Sequence, residues 1–130
     1  MMSDVLHDPR WRNAWRTLFL AVVLSASWLA FSPHPPRMAD LGWDKANHFS
    51  AFGTLAFVGM QCLIASPRRR WIVLATLLAY GVGIELVQSQ IPGRDAEAAD
   101  VLADMIGAVI GLAVHALALR FIAPRAAPAR

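Results

Sequence analysis

Four apolar runs joined by short polar connections decide what this chain can fold into. They occupy residues 15–31, 46–65, 71–90 and 101–123. A helix needs about 20 mostly apolar residues, within a range of about 17–25, to cross the hydrocarbon core of a bilayer. All four runs fall within that range, and in lipid only a helix or a closed barrel satisfies its own backbone. The expected fold is therefore all-α, an integral membrane bundle of four transmembrane helices. Composition agrees: 57% of residues are hydrophobic and 16% are charged, whereas a soluble domain carries about 25% charged residues. The net charge of +3 does not point to nucleic acid, because the basic residues sit at the ends of the apolar runs.

Those basic residues also set an expected orientation. Arg10, Arg12, Arg16, Arg68, Arg69, Arg70, Arg120, Arg125 and Arg130 lie on one side of the four runs, and Arg37, Lys45 and Arg94 on the other. The positive-inside rule then places both termini and the triple-Arg turn in the cytoplasm. Trp11, Trp15, Trp28, Trp43 and Trp71 fall near run ends, as interfacial anchors do. Pro33, Pro35 and Pro36 terminate the first run, and Pro92-Gly93 marks a turn after the third. The expected organisation is a cytoplasmic tail over residues 1–14, a transmembrane domain over 15–123 and a disordered tail over 124–130. A rival reading is a cleaved signal peptide, since the basic start, the apolar residues 18–24 and Ser25-Ala26-Ser27 fit that outline. The single cysteine, Cys62, forms no intrachain disulfide and reads as a small residue facing lipid or another helix.

The acids are as one-sided as the bases. Apart from Asp4 and Asp8, they are Asp40, Asp44, Glu85, Asp95, Glu97, Asp100 and Asp104, all at or near the non-cytoplasmic end. At ~1.5 Å rise per residue, His48 lies ~6 Å inside the second run, Glu85 ~7 Å from the end of the third, and Asp104 ~6 Å inside the fourth. Three helices thus bring an ionisable group to one level. Asp44 with His48, Glu85 with Gln88, and Asp100 with Asp104 share helix faces by spacing. Asp44, Lys45, Gln88, Arg94 and Asp100 are expected to form an upper layer around the same mouth. Gly107 and Gly111 form a GxxxG step, and Gly53, Gly81 and Gly83 are further candidates for close helix packing.

The same residues carry a family resemblance. Asp44-Lys45-Ala46-Asn47-His48-Phe49 followed by Phe52-Gly53 resembles the DKxxHF…FG opening of VanZ-like membrane proteins. Tyr80-Gly81, Glu85 and Gln88 are similar to that family's YG…E…Q helix, and Arg94, Asp100, Gly107 and Gly111 to its R…D…G…G end. The match spans residues 44–112. The family usually has Asn where this chain has Asp104, which adds a negative charge. The resemblance implies a multi-pass protein of the bacterial cytoplasmic (inner) membrane and cell envelope. It also implies an association with resistance to the glycopeptide teicoplanin, and it supplies no reaction.

Intramembrane ionisable residues are candidates for function by default. His48, Glu85 and Asp104 are the leading ones, against a structural reading in which Glu85 pairs with His48, Lys45 or Arg94. For Asp44 and Lys45 the end of a helix suffices as an explanation, with Lys45 snorkelling to water. Asp100 reads as a cap for the fourth helix, Gln88 as an interhelical hydrogen bond, and Arg94 as a ligand of an anionic headgroup or, more simply in an exposed loop, a partner of Asp95 or Glu97. His115 reads as an interface or packing residue. The triple Arg sets topology or meets anionic headgroups.

Three functions fit this cluster. One is a binding protein whose polar mouth holds a lipid-linked cell-wall precursor or a glycopeptide. The second is an intramembrane enzyme acting on a lipid headgroup, with His48, Glu85 and Asp104 in acid–base or metal-ligand roles. The third is a small proton-coupled carrier, which four short helices would build only by oligomerising. No cofactor is indicated by a motif.

Overall fold

The computed structural model describes residues 2–36 and 41–122; Arg37, Asp40 and the tail expected to be disordered lie outside that range. Five α-helices follow in order: α1 (Met2–His7), α2 (Arg12–Phe31), α3 (Asp44–Cys62), α4 (Arg69–Gln88) and α5 (Ala98–Phe121). There is no strand among the described residues. A 3-10 turn, Pro9–Trp11, links α1 to α2 and is capped by Asp8, whose side chain accepts from the Arg10 backbone N–H. The Arg10 side chain, hydrogen-bonded to Asp8, holds that carboxyl below the usual carboxylate range. The Trp15 indole N–H donates to the Val5 carbonyl at 3.0 Å, so the N-terminal residues fold back on α2.

Three of these helical stretches are long and apolar enough to cross a membrane: Pro9–Phe31, Arg69–Gln88 and Ala98–Phe121. The second apolar run, α3, falls short, and the expected four spans reduce to three on this criterion. The reason is visible in its side chains. Asp44, Lys45, Asn47, His48, Ser50, Thr54 and Gln61 all lie on α3. It is also the helix the others enclose. Phe52, Leu55, Ala56, Val58, Gly59, Met60 and Cys62 are buried on α3, whereas α2 buries none of its residues. Within α3 no large apolar side chain is exposed. The exposed ones are on its neighbours, as with Leu20 and Leu24 on α2, Val82 and Leu86 on α4, and Ile106, Val109 and Ile110 on α5. The neighbours shield Lys45, Asn47, His48 and Gln61 in part, while Asp44, Ser50 and Thr54 stay exposed, and the Ser50 and Thr54 hydroxyls donate back to the helix's own Ala46 and Ser50 carbonyls.

The core packs Phe52, Leu55, Ala56 and Met60 of α3 against Val73, Leu77 and Ile84 of α4 and Ala108 of α5. Helices α3 and α5 approach at their glycines. A Cβ on Gly107 would stand 2.6 Å from the Phe49 carbonyl oxygen, and one on Gly111 would collide with the Gly53 carbonyl. Gly53 itself faces the Gly107 carbonyl. Gly83 differs, because a Cβ there would meet open space, so close packing does not require its glycine.

The last carbonyls of α3 have no partners within the helix. The Arg16 Nε donates to the Cys62 carbonyl and an Arg69 guanidinium nitrogen to the Met60 carbonyl, each at 3.2 Å. Arg69 therefore has a structural partner that charge counting did not reveal. The Cys62 thiol is buried and donates to the Val58 carbonyl at 3.3 Å, so it faces protein. At the opposite end, Gly93 adopts φ +82° in the turn that leads to α5, as Pro92-Gly93 predicts.

Candidate functional site

The polar residues gather where α3 and α5 begin and α4 ends. At the centre, His48 Nδ1 lies 2.7 Å from Asp104 Oδ1. His48 sits one turn into α3 and Asp104 nearly two turns into α5, and the closely packed α3 and α5 bring the two side chains together. Asp104 is completely buried (0% exposed), and its second oxygen has no hydrogen-bond partner among the described residues. That oxygen lies against Gly81, where a Cβ would stand 2.6 Å away. Gly81 thus makes room for a carboxylate, and only a residue without a side chain fits there. When Asp104 is ionised it can only accept, so the proton between the pair resides on His48 Nδ1, and in the neutral imidazole Nε2 then keeps its lone pair.

The Nε2 atom faces two further carboxylates. Asp44 Oδ2 is 3.8 Å away and Asp100 Oδ2 is 4.0 Å away. Asp100 is buried, while the Asp44 side chain is 66% exposed. Lys45 does more than snorkel to water, which its one-third exposed side chain also reaches. Its ammonium bridges Asp100 at 3.0 Å and Glu97 at 3.3 Å, tying the start of α3 to the start of α5. Asp100 is likewise not the cap of α5. Glu97 holds that position, and Asp100 lies in the first turn, where its charge complements the helix dipole.

Glu85 departs most from expectation. Its Oε2 accepts from the backbone N–H of Glu97 at 2.9 Å, and it forms no ion pair with His48, Lys45 or Arg94 among the described residues. The carboxylate fastens the α4–α5 connection to the end of α4, and its Oε1 is buried without a partner. Glu85→Ala is expected to lower stability by about 1.5–3 kcal/mol, the range for a hydrogen bond to a charged group. Glu85→Gln keeps an acceptor oxygen and should lose less than half of that; detergent-induced unfolding of the purified variants measures both.

Gln88 reaches across to α2, its Nε2 donating to the Ala30 carbonyl at 3.0 Å, the interhelical bond its spacing suggests. It borders a cleft of about 250 Å³ between α2, α3 and α4. Asp44, Asn47, His48, Gln88 and Arg94 supply the polar wall, and Leu29, Ala51, Phe52 and Ile84 part of the apolar one. Arg94 was expected to pair with Asp95 or Glu97. Glu97 pairs with Lys45 instead, and Arg94 borders the cleft with no ion pair among the described residues. His115 is distant from this end and packs in the core, its ring 5.4 Å from that of Phe57.

Sequence reasoning missed Glu97, whose backbone and side chain serve Glu85 and Lys45 respectively. It also missed Asn47, whose Oδ1 accepts from the Leu41 N–H at the rim of the cleft. The position of Asn47, directly before His48 in the motif, was the available signal. Tyr80 was read only as part of the motif. Its hydroxyl pairs with Ser27 at 2.7 Å and donates to the Val23 carbonyl at 3.2 Å, and its ring stacks on Phe52.

An apolar periphery around a buried His–Asp pair, with a polar cleft at the same end, defines a small all-α membrane protein with a single polar centre. The family can be stated as well. The model of the VanZ/LLP1 family matches residues 8–119, and the chain belongs to that family. No curated protein and no solved structure matches it.

Proposed function

We propose that this VanZ-family protein binds the anionic headgroup of a lipid-linked cell-envelope ligand in the cleft between α2, α3 and α4. In this reading the cleft faces outward and both termini are cytoplasmic, following the distribution of Arg and Lys. One observation carries the reading: Arg94 borders a cleft within an apolar bundle and has no ion pair among the described residues. A guanidinium in that setting suits a phosphate or carboxylate, which it can meet through two parallel hydrogen bonds. The mixed wall suits a lipid, with Gln88, Asn47 and Arg94 toward the headgroup and Leu29, Phe52 and Ile84 toward the chain. An association with teicoplanin resistance would follow if occupying the cleft altered the supply or exposure of a cell-wall precursor.

The test uses the full chain in nanodiscs of phosphatidylcholine doped with a long-chain prenyl phosphate or with phosphatidylglycerol. Lipid retained by the purified protein is counted by native mass spectrometry. Wild type should enrich the anionic lipid, Arg94→Ala should lower that enrichment at least about tenfold, equivalent to 1.4 kcal/mol, and Arg94→Lys should restore part of it. Equal retention of anionic and zwitterionic lipid by wild type would overturn the reading. In cells, expressing wild type but not Arg94→Ala should shift teicoplanin susceptibility.

A further inference from the structure

We infer that Asp44, His48 and Asp100 form a binding site for one divalent transition-metal ion, with Zn²⁺ and Mn²⁺ the best matches to the donor set. One atom from each residue lies within 4.8 Å of the others, which brings an imidazole nitrogen and two carboxylate oxygens around one point. Carboxylate and imidazole donors together suit Zn²⁺ or Mn²⁺ better than Ca²⁺, which takes oxygen alone, or Cu(I), which takes sulfur.

Four features beyond proximity support the site. The first is the His48 tautomer. Metal-ligating histidines almost always donate their other ring N–H to a carboxylate or carbonyl, which fixes the ring and raises its basicity. Asp104 accepts from His48 Nδ1–H in this way from a fully buried position, and Nε2 is the atom that faces Asp44 and Asp100. The second is the division of labour on Asp100. Its Oδ1 engages Lys45, which leaves Oδ2 directed toward His48. The third is charge. Asp44, Glu97, Asp100 and Asp104 bring four carboxylates together, and Lys45 is the only ammonium bound to any of them among the described residues. A divalent cation relieves that repulsion, most of all at the buried Asp100 and Asp104.

The fourth is access. Asp44 and His48 border the cleft, so an ion held by three protein donors keeps an open position facing it. Donors ~2.1 Å from a tetrahedral zinc stand ~3.4 Å apart, close to the 3.8 and 4.0 Å seen here. A small rotation of the exposed Asp44 side chain closes the first gap, and a shift of about half an ångström of the His48 ring toward Asp100 closes the second. The inference rests on and deepens the proposed function: an anionic headgroup would bridge the ion and Arg94, which face the same cleft. Metal binding is nevertheless measured without any such lipid, so the two readings fail separately.

The experiment strips full-length protein in detergent with a chelator, removes the chelator and titrates Zn²⁺ or Mn²⁺ alone. Calorimetry follows Zn²⁺, and electron paramagnetic resonance follows Mn²⁺. Wild type should take up one ion per chain. Asp44→Asn and His48→Gln should each weaken binding at least about tenfold, and Asp104→Asn, which alters only the outer partner of His48, by about 10–100-fold. Asp95→Asn serves as the control for loss of a nearby exposed charge and should bind as wild type does. Asp44 is exposed, so Asp44→Asn keeps the fold, and far-UV circular dichroism verifies this for every variant. The inference is overturned if wild type shows no stoichiometric uptake, or if either Asp44→Asn or His48→Gln retains wild-type affinity.

Discussion

Gly111→Ala is expected to destabilise the bundle by about 3 kcal/mol or more, while the same change at Gly83 stabilises it by up to about 1 kcal/mol. Both glycines lie inside helices, so helix propensity alone favours alanine at each. The difference comes from what the new methyl group meets. At Gly111 it runs into the Gly53 carbonyl and stands 3.0 Å from the Ala56 side chain, on the helix that packs against α5. The backbone of α3 cannot yield there without drawing Gly53 away from Gly107 and moving His48 relative to Asp104. At Gly83 the methyl group meets nothing within 4 Å. Unfolding in mixed micelles of mild detergent and dodecyl sulfate, followed by tryptophan fluorescence, gives both values. Wild-type stability for Gly111→Ala would mean that α3 and α5 do not cross at these glycines. Gly107→Ala should fall on the destabilising side too, since its methyl group would meet the Phe49 backbone at 2.6 and 2.8 Å.

The helical framework and the shared level of His48, Glu85 and Asp104 were legible because each depends on simple geometry. Run length and apolar content determine helices, and counting rise from each helix end gives depth, but depth alone did not pair His48 with Asp104. The GxxxG spacing marked Gly107 and Gly111 for close packing without naming α3 as the helix they meet. What escaped notice depended on the identity of the partner rather than on depth. Glu85 has the right level and face for the cluster, yet its oxygen engages a backbone N–H in the following connection. Periodicity gives no information about a loop amide. Glu97 pairs with Lys45 and not with Arg94 for a related reason, because the competition of two cations for one carboxylate is settled by loop conformation. The status of α3 shows the limit of hydropathy. A window average weighs the half-buried Asn47, His48 and Gln61 as heavily as the exposed Ser50 and Thr54, although only the exposed pair meets what surrounds the bundle.

Removing either member of the His48–Asp104 pair should be among the most damaging single changes at the site. His48→Ala leaves a fully buried carboxylate without the hydrogen bond at 2.7 Å, and Asp104→Ala leaves the imidazole Nδ1 without its acceptor. Removing one side of a buried hydrogen bond to a charged group costs about 1.5–3 kcal/mol, because the remaining group stays desolvated and unsatisfied. The double variant His48→Ala/Asp104→Ala removes both polar groups, so its loss should fall short of the sum of the single losses by about 1–3 kcal/mol. That difference separates a true pair from two residues that each merely fill space, for which the losses would add. The comparison also bears on function. A pair locked in this way fixes the imidazole ring between α3 and α5 and directs Nε2 toward Asp44, Asp100 and the cleft. Strict additivity in the cycle would remove the reason for the ring to hold that orientation, and with it the basis for any chemistry at Nε2.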